Sequence, residues 1–225
     1  MLPEEVDQLR GRAEAEHTPR PRADGLRTRA AILRAATRLA SVVGLEGLSI
    51  GALAEHLGVS KSGVFAHFRA KEELQLATVA AAEEIFAEEV IQPALAEASG
   101  LPRLRALAAG FLAHVEARTF PGGCFFAAAA AELDARTGPV RSRVADFMTR
   151  WAGTLLAEAE EARRCGQLAA GVEPDAFAFE LGALLNHAND TFMLSGDARA
   201  LGRGREAIAR MLARVEEPAT RPRRR

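Results

Sequence analysis

Between Ser49 and Phe68 the chain runs through two short amphipathic segments separated only by Gly58-Val59-Ser60. Ile50, Leu53, Ala54 and Leu57 recur at helical spacing before the break, and Val64 and Phe68 recur after it. Ser49 and Ser60 stand where a side-chain hydroxyl can accept from the open N–H groups of a first helical turn. Gly58 can take the left-handed conformation that ends a helix. Two short helices joined by such a turn cross steeply, with Ile50, Leu53, Leu57, Val59, Val64 and Phe68 as the packing that locks them. The first residues of the second helix are then left facing outward.

The rest of the sequence keeps the same helical period and shows no convincing alternating strand. Ile32, Ala36, Leu39 and Val43 form a stripe on a helix that ends at Gly44. A long helix starts near Lys71 and runs into the nineties, where Pro93 ends or kinks it. Pro102, Pro121-Gly122-Gly123, Gly138-Pro139, the stretch from Gly166 to Pro174, and Gly196 then punctuate five more helices. The expectation is an all-α chain of about nine helices: a three-helix domain containing the helix-turn-helix over residues 26–72, then a six-helix domain over 73–217. Residues 1–25 read as a flexible arm and 218–225 as a basic disordered tail.

The formal net charge of −1 conceals a segregation along the chain. Residues 20–71 hold nine basic residues against three acids, whereas 72–217 hold fourteen against twenty-two. A basic segment ahead of an acidic body suits an approach to phosphate. Two cysteines, Cys124 and Cys165, are too few for a disulfide framework or a zinc motif, so no metal or cofactor is expected. The longest apolar run, Cys124 to Ala131, is far short of the ~20 residues that span a bilayer. The first twenty residues lack an apolar signal core. These features point to a soluble, cytoplasmic protein with no membrane partner.

The run Gly58-Val59-Ser60-Lys61-Ser62-Gly63-Val64-Phe65-Ala66-His67-Phe68, followed by Lys71-Glu72-Glu73-Leu74, resembles the TetR family of bacterial transcriptional regulators. The likeness covers roughly residues 27–76, with Gly122–Phe125 as a softer match. It implies a DNA-binding regulator, by family habit a repressor, whose second short helix enters the major groove. Carried over by position, Lys61, Ser62 and Gly63 open the recognition helix, Ser49 and Ser60 cap the two helices, and His67 and Lys71 match positions that contact the DNA backbone. Phe65 stands where the family most often has a tyrosine whose hydroxyl touches phosphate, a bond this chain cannot make. Gly51 offers no side chain at a position from which some relatives reach a base.

The resemblance further implies homodimerisation through the last two helices and a small-molecule pocket among the middle ones. Candidate pocket residues are Phe111, His114, Cys124, Phe125, Met148, Trp151, Asn186 and His187, the polar ones because a buried polar group needs a partner that a ligand could supply. A ligand would tilt the long helix that starts at Lys71 and change the spacing of the two recognition helices. Two other readings stay open. One is a regulator that needs no ligand. The other is an all-helical enzyme, for which Cys124 with His114 or His187 is the one nucleophile–base set, without a catalytic motif around it.

Overall fold

The computed structural model describes residues 21–216, with side chains from residue 28 onward. The basic tail and most of the N-terminal arm lie outside the described residues. The first helix, α1 (Pro21–Gly47), begins at Pro21, inside the segment expected to be arm. A proline suits a first helical turn because its missing N–H would have no partner there. Gly44, with φ 78° and ψ 164°, breaks the helical geometry three residues before hydrogen bonding ends.

Helices α2 (Ile50–Leu57) and α3 (Lys61–Phe65) follow. The long helix α4 (Lys71–Phe86) continues through a π-helical turn, Ala87–Ile91, into a last turn, Gln92–Ala94. Then come α5 (Leu101–Glu116), α6 (Phe125–Leu133), α7 (Pro139–Arg164), α8 (Pro174–Ser195) and α9 (Arg199–Val215). Counting the continuous rod from Lys71 to Ala94 as one, there are nine helices among the described residues, most with a glycine or proline near one end, while α3 is opened by Ser60 and closed at Ala66. The β-pairing among them amounts to one isolated bridge between Leu168 and Glu216.

One apolar core runs from the small N-terminal helices into the body. Ile32 and Ala36 of α1, Leu53 and Ala54 of α2, Val64 and Phe68 around α3, and Leu74 of α4 are all buried. Two expected core residues are not: Val43 is 45% and Val59 49% exposed. Val43 lies beside the break at Gly44, where the helical register that would carry it inward stops. Val59 sits in the turn itself, and the crossing is closed by Leu53, Val64 and Phe68 without it. In the body, Phe86 is the hub. Its ring lies 5.1 Å from Trp151, 5.3 Å from Phe147 and 5.8 Å from His114, in each case edge to face. That arrangement sets the positive rim of one ring against the negative face of the next.

Body and N-terminal helices touch at the turn before α6. The Gly122 N–H donates to Ser41 Oγ at 3.1 Å, and Arg38 Nη1 donates to the Thr119 carbonyl at 2.9 Å. A Cβ on Gly122 would fall onto the Ser41 carbonyl, a backbone group that cannot swing aside. Gly122→Ala is therefore expected to lower the free energy of unfolding by about 2 kcal/mol, the usual scale of a forced overlap. Gly153→Ala, at a helical site open to solvent, should raise it by about 0.5–1 kcal/mol through helix propensity. Urea titrations followed by circular dichroism test the pair, and coincident midpoints would contradict the packing argument.

Candidate DNA interface and its junction with the body

The geometry of the helix-turn-helix follows from three local devices. Ser49 Oγ accepts from the Ala52 N–H at 3.1 Å and opens α2. Gly58, at φ 65° and ψ 28°, closes α2 in the left-handed conformation, so that the Val59 N–H reaches the Ala54 carbonyl at 3.0 Å. A Cβ there would be strained by the backbone angle alone. Ser60 Oγ then accepts from the Gly63 N–H at 3.1 Å and starts α3. Its hydroxyl also meets Ser62 Oγ at 3.0 Å.

These caps leave one outward face. Ser60, Lys61, Ser62, Gly63 and Phe65 are all exposed, Phe65 by 53%, and His67 is half-buried with its ring tilted against Phe68. A large apolar ring left in water on a short helix beside a lysine is a surface prepared for contact. Gly51 faces the Lys61 stem, and a Cβ there would meet Lys61 Cε at 3.4 Å, an ordinary contact with the end of a flexible side chain. Behind the face, Arg29 of α1 stacks over the Phe68 ring at 5.0 Å, which pins the end of the motif to the first helix.

Lys71 is placed differently from the other seven candidates. Its ammonium donates to the Glu46 carbonyl at 2.6 Å and lies 3.4 Å from the Glu46 carboxylate, with its side chain still half exposed. An ammonium has three donors, so one remains for another acceptor. Beside it, Gln75 Nε2 donates to the Leu45 carbonyl at 2.6 Å in a buried position. The N–H groups of the same two residues are held from the opposite side. Glu132 of α6 accepts from Leu45 N at 2.7 Å and from Glu46 N at 2.8 Å. Two backbone units just past the Gly44 break are thus gripped by α4 at their carbonyls and by α6 at their amides.

Sequence reasoning did not find Glu132, Gln75, Ser41 or Arg38. Each acts across a long sequence separation on a backbone group, and no local pattern marks that. The proposed pocket residues separate into groups. Phe111, His114, Phe125 and Trp151 belong to one aromatic cluster, with Phe111 stacked on Trp151 at 6.3 Å. Met148 packs against it, partly buried. Cys124 is buried elsewhere, its N–H donating to Asn189 Oδ1 at 2.8 Å, and burial pushes its thiol above the usual range. A thiol held neutral is a poor nucleophile. Asn186 is half-buried, and His187 is exposed beside Thr191, so His187 does not share an enclosed site with the others. Helical spacing alone does not say which face of α8 turns inward. No group of metal-ligating side chains occurs among the described residues, and no helix among them is long and apolar enough to cross a membrane.

A capped helix-turn-helix whose exposed second helix rides on a helical body defines a DNA-binding transcriptional regulator. The family model described as "Bacterial regulatory proteins, tetR family" matches residues 32–78, and the one described as "Tetracyclin repressor-like, C-terminal domain" matches residues 100–208. The chain belongs to the TetR family of transcriptional regulators. Its fold is shared with a TetR transcriptional regulator from Chloroflexus aurantiacus (24% identity, TM-score 0.79, covering 88% of this chain and 100% of that one). It is shared also with a TetR-family regulator from Agrobacterium tumefaciens (23%, TM-score 0.73, 85% and 99%). A third likeness is AibR, solved in complex with isovaleryl coenzyme A and operator DNA (23%, TM-score 0.66, 85% and 100%). No curated protein sequence matches the chain.

Glu132→Ala would strand two amide N–H groups at the junction. Losing a carboxylate that accepts two hydrogen bonds is expected to cost about 2 kcal/mol in chemical denaturation. Stability unchanged from wild type would show that the junction is not held from the α6 side.

Proposed function

We propose that the chain binds operator DNA as a homodimer in the cytoplasm and represses transcription until a small molecule occupies its body. The observation that carries this reading is the α3 face, Ser60 to Phe65, left exposed while its supports are anchored on two sides. Lys61 and Ser62 read base edges or adjacent phosphates, Phe65 packs against sugar, and His67 and the spare donor of Lys71 meet the backbone. Contacts from one five-residue helix are too few for tight specific binding, so two half-sites read across a two-fold axis are required.

The pairing surface proposed is α8 with α9. On α8, Phe179 and Leu194 are 79% and 93% exposed, and Ala183, His187 and Asp190 lie on the same stripe. Such large apolar side chains left in water at both ends of one helix face call for a covering partner. On α9, Ile208, Met211, Leu212 and Val215 turn inward, leaving Gly202, Ala209 and Ala213 on accessible positions where a second helix can approach closely. The regulatory route follows from the junction. A ligand that shifts α4 or α6 moves the groups holding Leu45 and Glu46, and through α1 changes the separation of the paired recognition helices. AibR, solved with operator DNA, is consistent with the same use of the fold.

Lys61→Ala should alter the preference between operator variants, because a base contact is lost. Lys71→Ala should weaken binding to all duplexes alike and reduce the slope of log affinity against log salt by about one phosphate's share, roughly 0.9. Fluorescence anisotropy across a salt series separates the two, and a Lys71→Ala slope equal to wild type would restrict Lys71 to its bond with Glu46. Light scattering of the free protein should give twice the chain mass of 24.0 kDa. A monomer at micromolar concentration would contradict the pairing surface.

A further inference from the structure

His114 is the one buried side chain among the described residues whose polar atom has no partner. Its Nδ1 lies 2.7 Å from Glu89 Oε2, an oxygen that also accepts from Thr119 Oγ1 at 2.7 Å. A carboxylate accepts, so Nδ1 holds a proton toward Glu89, and with the ring singly protonated Nε2 is left as a lone-pair acceptor. The atom is buried, and the imidazole that carries it lies between aromatic rings, its centroid 5.8 Å from that of Phe86 and 5.0 Å from that of Phe120, both edge to face. An enclosed acceptor without a donor is unfavourable by the desolvation it has suffered, and such groups call for an explanation.

One ring away lies a groove of about 400 Å³ between α4 and α7. Phe86, Ala87, Ile91, Phe147 and Trp151 line it, with Arg150 among the charged residues of its lining. Arg150 and Arg143 share the Glu83 carboxylate at 3.1 and 2.7 Å, and Glu84 adds a second acid to the lining, so the groove rim carries no excess of positive charge. The volume falls within the range of small-molecule sites, and an apolar wall with one inner polar group is their usual chemistry. Phe86 separates groove from histidine. It sits directly ahead of the π-helical turn Ala87–Ile91, which also carries Glu89, and π turns are local irregularities that recur at functional sites.

We propose that this groove and His114 form one effector site, opened by a swing of Phe86, for an apolar molecule whose buried end carries an O–H or N–H donor. The donor completes His114 Nε2, and the apolar body fills the groove against Phe147 and Trp151. An anionic head is disfavoured, because the Glu89 carboxylate already lies on the other side of the same ring and a lone pair on Nε2 repels a second anion. The inference rests on the sensor reading above and specifies its ligand class. His114 acts by binding; Glu89 and Thr119 are positioning residues that fix its tautomer.

Trp151 is the chain's single tryptophan and there is no tyrosine, so its emission reports on the groove directly. The probes are n-octanol, octyl methyl ether, which keeps the chain but lacks the donor, and octanoate. Wild type should show saturable emission changes with octanol binding about 3- to 10-fold tighter than the ether, the worth of one buried hydrogen bond, and octanoate weakest. His114→Phe should bind octanol and ether equally. Phe86→Ala should bind both more tightly while keeping the preference for octanol, since no ring need be displaced. No saturable response from any probe, ether bound as tightly as octanol by wild type, or octanoate bound best would each overturn the assignment, without recourse to a variant. Operator binding is followed in parallel. Octanol preference with unchanged operator affinity would leave the site standing and remove its regulatory role, whereas DNA binding that responds to octanol and ether alike would preserve regulation and remove His114 from it.

Discussion

Leu45 and Glu46 follow the break in α1, so their backbone groups have lost the continuous helical ladder and must be satisfied from outside. Glu132 takes the two amides, Gln75 takes the Leu45 carbonyl, and Lys71 takes the Glu46 carbonyl. Unpaired backbone groups at a partly buried site cost as much as a lost hydrogen bond each. The chain therefore cannot hold its three N-terminal helices in place without also holding α4 and α6. The orientation of the recognition helix is a property of the whole molecule.

That dependence gives the body leverage over the DNA-facing surface. The turn before α6 adds a second tie: Gly122 meets Ser41 of α1, while Cys124, two residues later, is held by Asn189 of α8. A helix proposed for dimer contacts is thus linked through one tight turn to the helix that supports the helix-turn-helix. The aromatic cluster around Phe86 lies between these ties, against the irregular stretch of the long helix. A rearrangement there reaches α4 first, and close-packed interiors pass such displacements on because they have little free volume to absorb them.

How much of this could be read from the sequence depends on the range of each interaction. The two serine caps and the left-handed Gly58 turn were legible because every partner lies within five residues. Most helix breaks were legible for the same reason, glycine and proline acting on their own backbone, but the start of α1 at Pro21 was not. Legibility stopped where contacts cross the chain. Glu132 sits at the end of an alanine-rich helix, 87 residues from the amide it holds, and nothing near it distinguishes it from a solvated acid. Val43 and Val59 misled because hydrophobicity marks a residue that can be buried, and the break and the turn left these two outside. His114 stood out as polar on an apolar helix, yet its meaning depends on Glu89, contributed by a π turn that has no sequence signature. His187 matched it in type but faces water.

The central claim is that the Leu45–Glu46 backbone is clamped from both sides, so that the DNA-binding face moves with the body. Amide hydrogen exchange at these two residues, resolved by NMR, tests it most directly. Glu46 is an exposed residue whose amide is bonded to the Glu132 carboxylate, so protection there reports on that bond. The account predicts protection at Leu45 and Glu46 comparable to interior helical amides. Exchange at both sites as fast as in an open loop would contradict it.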